Sequence, residues 1–164
     1  MIQKKQEKYA RRIVARLSEK GYEALYAGGY VRDMVRGATE QSDIDIATNA
    51  RPETVKSLFR RVVMVGEQFG VVIVMSGGYA FEVATFRADI GERDGRHPER
   101  VVFCSAREDA LRRDFTINGL FYDPLEERLF DYVGGQKDLT AGIVRAIGAP
   151  RQRFAEDFLR MLWA

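Results

Sequence analysis

The sequence predicts an α+β fold built on a small mixed, mostly antiparallel sheet flanked by helices. Three observations point there. Two β-rich runs, Val71 to Met75 and Tyr79 to Phe86, are joined by Ser76-Gly77-Gly78, the composition of a hairpin turn. Strand-like and helix-like segments follow one another without the regular alternation of a doubly wound sheet. The chain has 164 residues, 46% hydrophobic and 30% charged, which suits one domain with a short appendage and excludes a disordered chain.

The elements can be justified in order. Residues 3 to 20 place Ile13, Val14 and Leu17 at helical spacing among charges and stop at Gly21. Ala24 to Ala27 is a short apolar strand running into Gly28-Gly29. Tyr30, Val31, Met34 and Val35 then mark a short helix closed by Gly37. Ile44 and Ile46 alternate with Asp43 and Asp45, the period of a strand. Pro52 suits the first turn of the next helix, whose apolar face is Val55, Leu58 and Phe59. Residues 88 to 100 are polar, carry Gly91, Gly95 and Pro98, and read as a long loop of the kind that carries function. Ala106 to Arg113 is charged and helical, and Leu129 to Tyr132 is a strand followed by Gly134-Gly135 and a helical turn. From Pro150 onward Phe154, Phe158, Leu159 and Leu162 line an amphipathic helix.

Composition excludes several classes. No apolar run approaches the ~18 residues of a membrane span. The first twenty residues are basic and broken by charge, unlike a secretory signal. One Cys excludes a disulfide framework and a Cys-based zinc site, and implies a reduced, cytoplasmic setting. The net charge of +2 argues for no partner, but 20 of the 26 basic residues are Arg, whose planar fork matches phosphate oxygens.

The central chemical feature is Asp43-Ile44-Asp45. On a strand both carboxylates project from one face while Ile44 enters the core. Like charges so close either face water or share a cation, and hard oxygen ligands of this kind suit Mg²⁺ with substrate phosphates. Gly28-Gly29 lies between a strand and a helix; it is either an ordinary tight turn or a place where backbone N–H groups approach an anion. Arg32 follows on the first turn of that helix, where it could reach the same phosphate, with Asp33 beside it to orient it or cap the turn. Glu82, on the strand Phe81 to Phe86, alternates with Phe81 and Val83; it is a surface Glu or a third carboxylate. A triphosphate on Gly-Gly and Arg beside a carboxylate-held metal pair is a layout for nucleotidyl transfer. That chemistry needs no His or Cys nucleophile; His97 reads as solvent-exposed and Cys104 as a small buried residue.

Gly28-Gly29-Tyr30-Val31-Arg32-Asp33 followed by Asp43-Ile44-Asp45-Ile46-Ala47-Thr48 resembles the signature of the class II tRNA nucleotidyltransferase and bacterial poly(A) polymerase family. Glu82 to Arg87, Asp94 to Pro98, Arg112 to Asn118, Asp131 with Gly134-Gly135 and Asp138-Leu139, and Glu156 to Arg160 are similar to further blocks of that family in the same order. The resemblance spans roughly residues 20 to 162.

The resemblance implies a nucleotidyltransferase, polymerase-beta-like head over residues 1–148 and the start of a truncated helical neck over 149–164. It implies that Asp43 and Asp45 hold magnesium in a two-metal site with Glu82 as third catalytic carboxylate. Gly28, Gly29 and Arg32 would hold the triphosphate, and Arg113 would contact the nucleotide or organise the loop. Asp157 and Arg160 would read the base edge of CTP or ATP. Asp114, Thr116 and Asn118 would brace the site. Trp163 stands where the family carries a further Arg.

The implied activity is template-independent, metal-dependent addition of CMP and AMP from CTP and ATP to the 3′ end of tRNA, with release of pyrophosphate. The alternatives are a poly(A) polymerase, an A-only or C-only adding enzyme, or a truncated head that binds nucleotide without efficient turnover. Transfer to a small molecule or protein shares Gly-Gly and the paired Asp but leaves Arg112 to Asn118 unexplained. The expected partners are CTP, ATP and a tRNA or other RNA 3′ end, with no membrane. The apolar side of the last helix implies self-association.

Overall fold

The computed structural model describes residues 2–66, 69–92 and 98–150. A seven-stranded sheet has the spatial order β3 (Val62–Gly66), β4 (Val71–Ser76), β5 (Tyr79–Thr85), β2 (Asp45–Thr48), β1 (Ala24–Ala27), β8 (Leu120–Asp123), β9 (Arg128–Asp131). Every pairing in it is antiparallel except β2 with β5, which run parallel. A second, two-stranded sheet pairs β6 (Arg87–Glu92) with β7 (Pro98–Phe103). The helices are α1 (Ile2–Ser18), α2 (Gly29–Val35), α3 (Pro52–Leu58), α4 (Ala106–Leu111) and α5 (Gly135–Ala141), with a 3-10 turn over Thr116–Asn118. None is long and apolar enough to cross a membrane among the described residues.

Period two divides the central strands between two cores. Ala24 and Tyr26 of β1, Ile46 of β2, Phe81 and Val83 of β5 and Leu120 of β8 face one side. There α1 lays down Ala10, Ile13, Val14 and Leu17, a stripe at i, i+3, i+4 and i+7, and α3 adds Val55. Leu25 and Ala27 of β1, Ala47 of β2 and Phe121 of β8 face the other side, against Phe86 and against Ala106 and Ala110 of α4. All four residues of β1 are therefore buried. The β4–β5 hairpin closes as its composition predicts, with Ser76 paired to Tyr79 across Gly77-Gly78.

Two sequence expectations change, and Leu120–Asp123 adds a strand that the sequence reading does not name. Residues 88 to 100 are not a loop throughout: Ala88 pairs with Val102 and Glu92 with Pro98, so both arms are strands. Glycines and charge mask the alternation there, and Pro98 occupies the first position of a strand, where its missing N–H costs least. Leu120–Asp123 is a strand in the sheet interior, although four residues between Gly119 and Pro124 give little periodicity to read. Cys104 is half-buried rather than enclosed.

The segment after α4 is locked by acids. Asp131 accepts N–H groups from Gly134 at 2.8 Å, Gly135 at 2.9 Å and Gln136 at 3.0 Å, capping α5. Buried Asp138 accepts from the Thr116 hydroxyl at 2.7 Å and from Arg145 Nε at 2.9 Å, and these bonds hold its carboxyl below the usual range. α5 can approach the 3-10 turn so closely only because position 135 is glycine. A methyl group there would lie 2.2 Å from the Thr116 carbonyl oxygen, a backbone atom with nowhere to go. At Gly119 the nearest obstacle is the Val133 Cγ2 at 2.7 Å, the end of a side chain that can turn. Gly135→Ala is therefore expected to destabilise the fold by about 2–3 kcal/mol, and Gly119→Ala by distinctly less. Equal urea midpoints for the two variants would contradict this packing.

Candidate active site

The parallel pairing of β2 with β5 sets the acidic centre. Its register joins Ile46 to Val83 and Ala47 to Ala84, so one step back brings Asp45 beside Glu82. Ile46 and Val83 go into one core, which turns Asp45 and Glu82 to the opposite face. β2 itself begins at Asp45, and Asp43 lies just ahead of it, with Ile44 buried between them. Asp45 reaches solvent, yet loss of hydration among its neighbours, then the negative charges of Glu82 and Asp43, push its carboxyl up to about 6. Arg113 opposes that rise.

Arg113 comes to this place from the end of α4. Its guanidinium lies 4.8 Å from the ring centre of Phe121 on β8. Its Nε and Nη2 donate to Asp109 Oδ2 at 3.1 and 3.0 Å. Asp109 is 1% exposed and also accepts Arg112 Nε at 3.0 Å and the Arg87 backbone N–H at 3.0 Å. Burial alone would raise its pKa; Arg113 and Arg112 lead the contacts that hold it below the ordinary carboxylate range instead. Arg113 is thus aimed by a buried anion, and the same anion ties the base of the β6–β7 hairpin to α4.

β1 delivers the glycine turn to the same face. Ala27 pairs with Asp45 on one side and Phe121 on the other. Gly28 then takes φ 69° and ψ −137°, a conformation that side chains resist, and its N–H donates to the Leu120 carbonyl at 3.3 Å. A methyl on Gly28 would stand 3.4 Å from Arg113 Nη1, and one on Gly29 would stand 3.0 Å from Ser42 Oγ. Gly28 is buried and Gly29 half-buried, and the missing side chains leave just enough room for Arg113 at the first and for Ser42 and Arg32 at the second.

Arg32, expected on the first turn of α2, stands on the last turn of this short helix and is already held. Its Nε and Nη2 meet Asp33 Oδ1 at 2.9 and 2.8 Å, and its Nη1 donates to Asn118 Oδ1 at 2.8 Å. Asn118 in turn donates to Asp114 Oδ1 at 3.2 Å. Asp33 is buried at 4% exposure, and its other oxygen accepts the Ser42 N–H at 3.0 Å and hydroxyl at 2.7 Å. Burial would raise the Asp33 carboxyl, but the Ser42 and Arg32 hydrogen bonds bring it below its usual range. Asp33 therefore orients Arg32, and Asp114 and Asn118 brace it.

Asp43, Asp45, Glu82, Gly28, Gly29, Arg32 and Arg113 are thus linked through one region of the structure. Asp157 and Arg160, the loop residues Asp94 to His97, and Phe154, Phe158, Leu162 and Trp163 lie outside the described residues. Sequence reasoning missed Asp109, Ser42 and the Phe121 platform. For Asp109 a signal existed, since Arg112 and Arg113 follow at i+3 and i+4 on a predicted helix. Among the described residues no three acidic, His or Cys side chains gather closely enough to ligate a metal unaided. Mutually repelling carboxylates beside an anion-ready turn do fit a hard divalent cation whose shell is completed by phosphate or water.

Three comparisons bear on this site. Residues 24–145 match the poly(A) polymerase head domain. The CCA-adding enzyme of Bacillus pumilus (strain SAFR-032) is 46% identical over 153 residues, covering 93% of this chain and 38% of its own length. Poly(A) polymerase I of Escherichia coli O6:H1 is 43% identical over 169 residues, covering 94% of this chain and 36% of its own length. The crystal structure of the Bacillus stearothermophilus CCA-adding enzyme in complex with CTP superimposes with a TM-score of 0.84 at 38% identity, covering 94% of this chain and 37% of that one. A tRNA nucleotidyltransferase structure with a primer tRNA and an incoming ATP analogue gives a TM-score of 0.70 at 32% identity, covering 92% and 42%. The chain thus spans just over a third of the length of the curated relatives it matches. With residues 24–145 carrying both the glycine turn and the acidic centre, the chain belongs to the poly(A) polymerase head domain family.

Proposed function

We propose that this chain provides the catalytic head of a cytoplasmic, template-independent nucleotidyltransferase. In this reading it adds CMP and AMP from CTP and ATP to the 3′ end of a tRNA and releases pyrophosphate. The observation that carries the reading is the electrostatic coupling of Asp45 to Glu82, Asp43 and Arg113, with Arg113 reaching the Gly28-Gly29 turn. The likeness to CCA-adding enzymes, one of them solved with CTP, supports a triphosphate as substrate.

Each residue then has a task. Asp43 and Asp45 would hold Mg²⁺, with Glu82 as the further carboxylate. Bound there, a pair of such ions would lower the pKa of the attacking hydroxyl and stabilise the leaving pyrophosphate. Gly28 and Gly29 would let the triphosphate come close to the turn, with the half-buried Gly29 nearest to it, and Arg32, pre-oriented by Asp33 and Asn118, offers it a fixed fork. Arg113 brings positive charge to the acidic centre and limits its self-repulsion. Asp157 and Arg160 would select the base, at the start of a helical neck beginning near residue 149.

A poly(A) polymerase is the second reading, supported by the 43% identity to the Escherichia coli enzyme. A head that binds nucleotide without efficient turnover is the third: the chain covers 38% of the length of the Bacillus pumilus enzyme, and a grip on RNA needs several cationic contacts. Incubation with Mg²⁺, labelled CTP or ATP, and either tRNA lacking its terminal CCA or unstructured RNA separates them. We expect both nucleotides on the tRNA, with Asp45→Asn lowering incorporation at least about a hundredfold. ATP incorporation alone, on unstructured RNA, would favour poly(A) synthesis. Incorporation unaffected by Asp45→Asn would overturn the catalytic assignment.

A pH dependence follows from the Asp45 carboxyl at about 6. The folded, metal-free chain keeps this proton to higher pH than the unfolded chain does. The stability it contributes is present at low pH and is lost as pH rises through about 6. A cation must displace the same proton, so Mn²⁺ affinity should fall steeply as pH drops below about 6. Glu82→Gln removes a repelling charge and should move that midpoint downward. A Mn²⁺ relaxation titration at a series of pH values reads both; an unmoved midpoint in Glu82→Gln would contradict the pairing of the two acids.

A further inference from the structure

We propose that Ser42 is a positioning residue for nucleotide capture, fixing Arg32 through Asp33 while anchoring the segment that leads into Asp43. This rests on the reading of Gly28, Gly29 and Arg32 as the triphosphate cradle, and goes beyond it by giving a task to a residue outside the family-like blocks.

The two oxygens of Asp33 are divided between two clients. Oδ1 carries Arg32, through Nε at 2.9 Å and Nη2 at 2.8 Å. Oδ2 carries Ser42, through its N–H at 3.0 Å and its hydroxyl at 2.7 Å. A carboxylate held by both oxygens cannot rotate, so its plane fixes the plane of the guanidinium it bears. A competitor is at hand: Arg36 Nη2, one turn further along α2, already lies 3.6 Å from Oδ1. Without the Ser42 hydroxyl, Oδ2 keeps a single backbone donor, and the carboxylate is free to turn toward Arg36. Arg32 then loses its fixed direction on one side and keeps only Asn118 on the other.

Ser42 also touches the cradle directly. A methyl on Gly29 would lie 3.0 Å from Ser42 Oγ and 3.6 Å from Arg32 Nη2, so the glycine backbone, the serine hydroxyl and the guanidinium share one small space. Through its place in the chain Ser42 precedes Asp43. One exposed hydroxyl thereby sets the separation between the phosphate-binding turn and the first carboxylate.

The test uses the full chain and titration calorimetry with CTP and with CMP in the presence of Mg²⁺. Arg32 acts on the β- and γ-phosphates, so its misdirection should weaken CTP and spare CMP. We expect Ser42→Ala to weaken CTP about tenfold, the worth of a hydrogen bond to a charged group, and CMP less than twofold. Ser42→Thr and Ser42→Val are matched in shape; Thr should retain CTP affinity and Val should lose it as Ala does. Equal losses for Thr and Val, or equal losses for CTP and CMP, would overturn the proposal. If Arg32→Ala weakens CTP while Ser42→Ala and Ser42→Val do not, the positioning role alone falls. If Arg32→Ala changes nothing and CTP binds no better than CMP, the cradle reading falls and takes this proposal with it.

Discussion

Two carboxylates on adjacent parallel strands, Asp45 and Glu82, repel each other across the sheet, and much of the surrounding structure is arranged around that repulsion. Hydrophobic alternation leaves them no alternative. Ile46 and Val83 must enter the core, and their acidic neighbours must then share the opposite face. Arg113 supplies part of the compensation, and among the described residues burial and the two neighbouring acids still leave the Asp45 carboxyl raised to about 6. A site that is electrostatically incomplete by construction is well suited to take up a cation together with a highly charged substrate.

Three of the described arginines follow a single rule: each is given its direction by a buried acid. Arg113 is aimed by Asp109, Arg32 by Asp33 and Asn118, and Arg145, further along, by Asp138. In each case the acid is buried and the arginine retains some exposure. A guanidinium locked in this way loses little freedom when it meets a phosphate, which is the advantage of a pre-organised donor. The near-neutral net charge of the sequence averages 26 basic against 24 acidic residues. It conceals how unevenly the charge is placed.

Much of this was legible in the sequence, for local reasons. Period two around Ile44 and Ile46, and around Phe81 and Val83, was enough to turn Asp45 and Glu82 outward. The Gly28-Gly29 pair announced a turn between a strand and a helix. What stayed hidden depends on distant parts of the chain. β8 carries only four residues, and its pairing partner β1 lies far upstream. The β6–β7 arms pair through their backbones while their sequences carry little apolar alternation. Ser42 gains its meaning from Asp33 across a loop with no periodic signal, and Asp109 from arginines that read equally well as an ordinary charged helix.

The position of β1 has a consequence for how the chain is made. β1 is buried on both faces, and on one edge it pairs through Tyr26 and Ala27 with Tyr122 and Phe121. During synthesis that edge stays open until most of the described chain has left the ribosome. Until then Tyr26, Ala27 and the adjoining Gly28 turn lack the strand that covers them. Loop closure over so long a span is slow, and an uncovered strand edge invites pairing with other chains. The seat of Arg113 thus assembles late, after β8 arrives, and a stalled or shortened nascent chain would carry Asp45 and Glu82 without the Phe121 platform that seats Arg113 beside them.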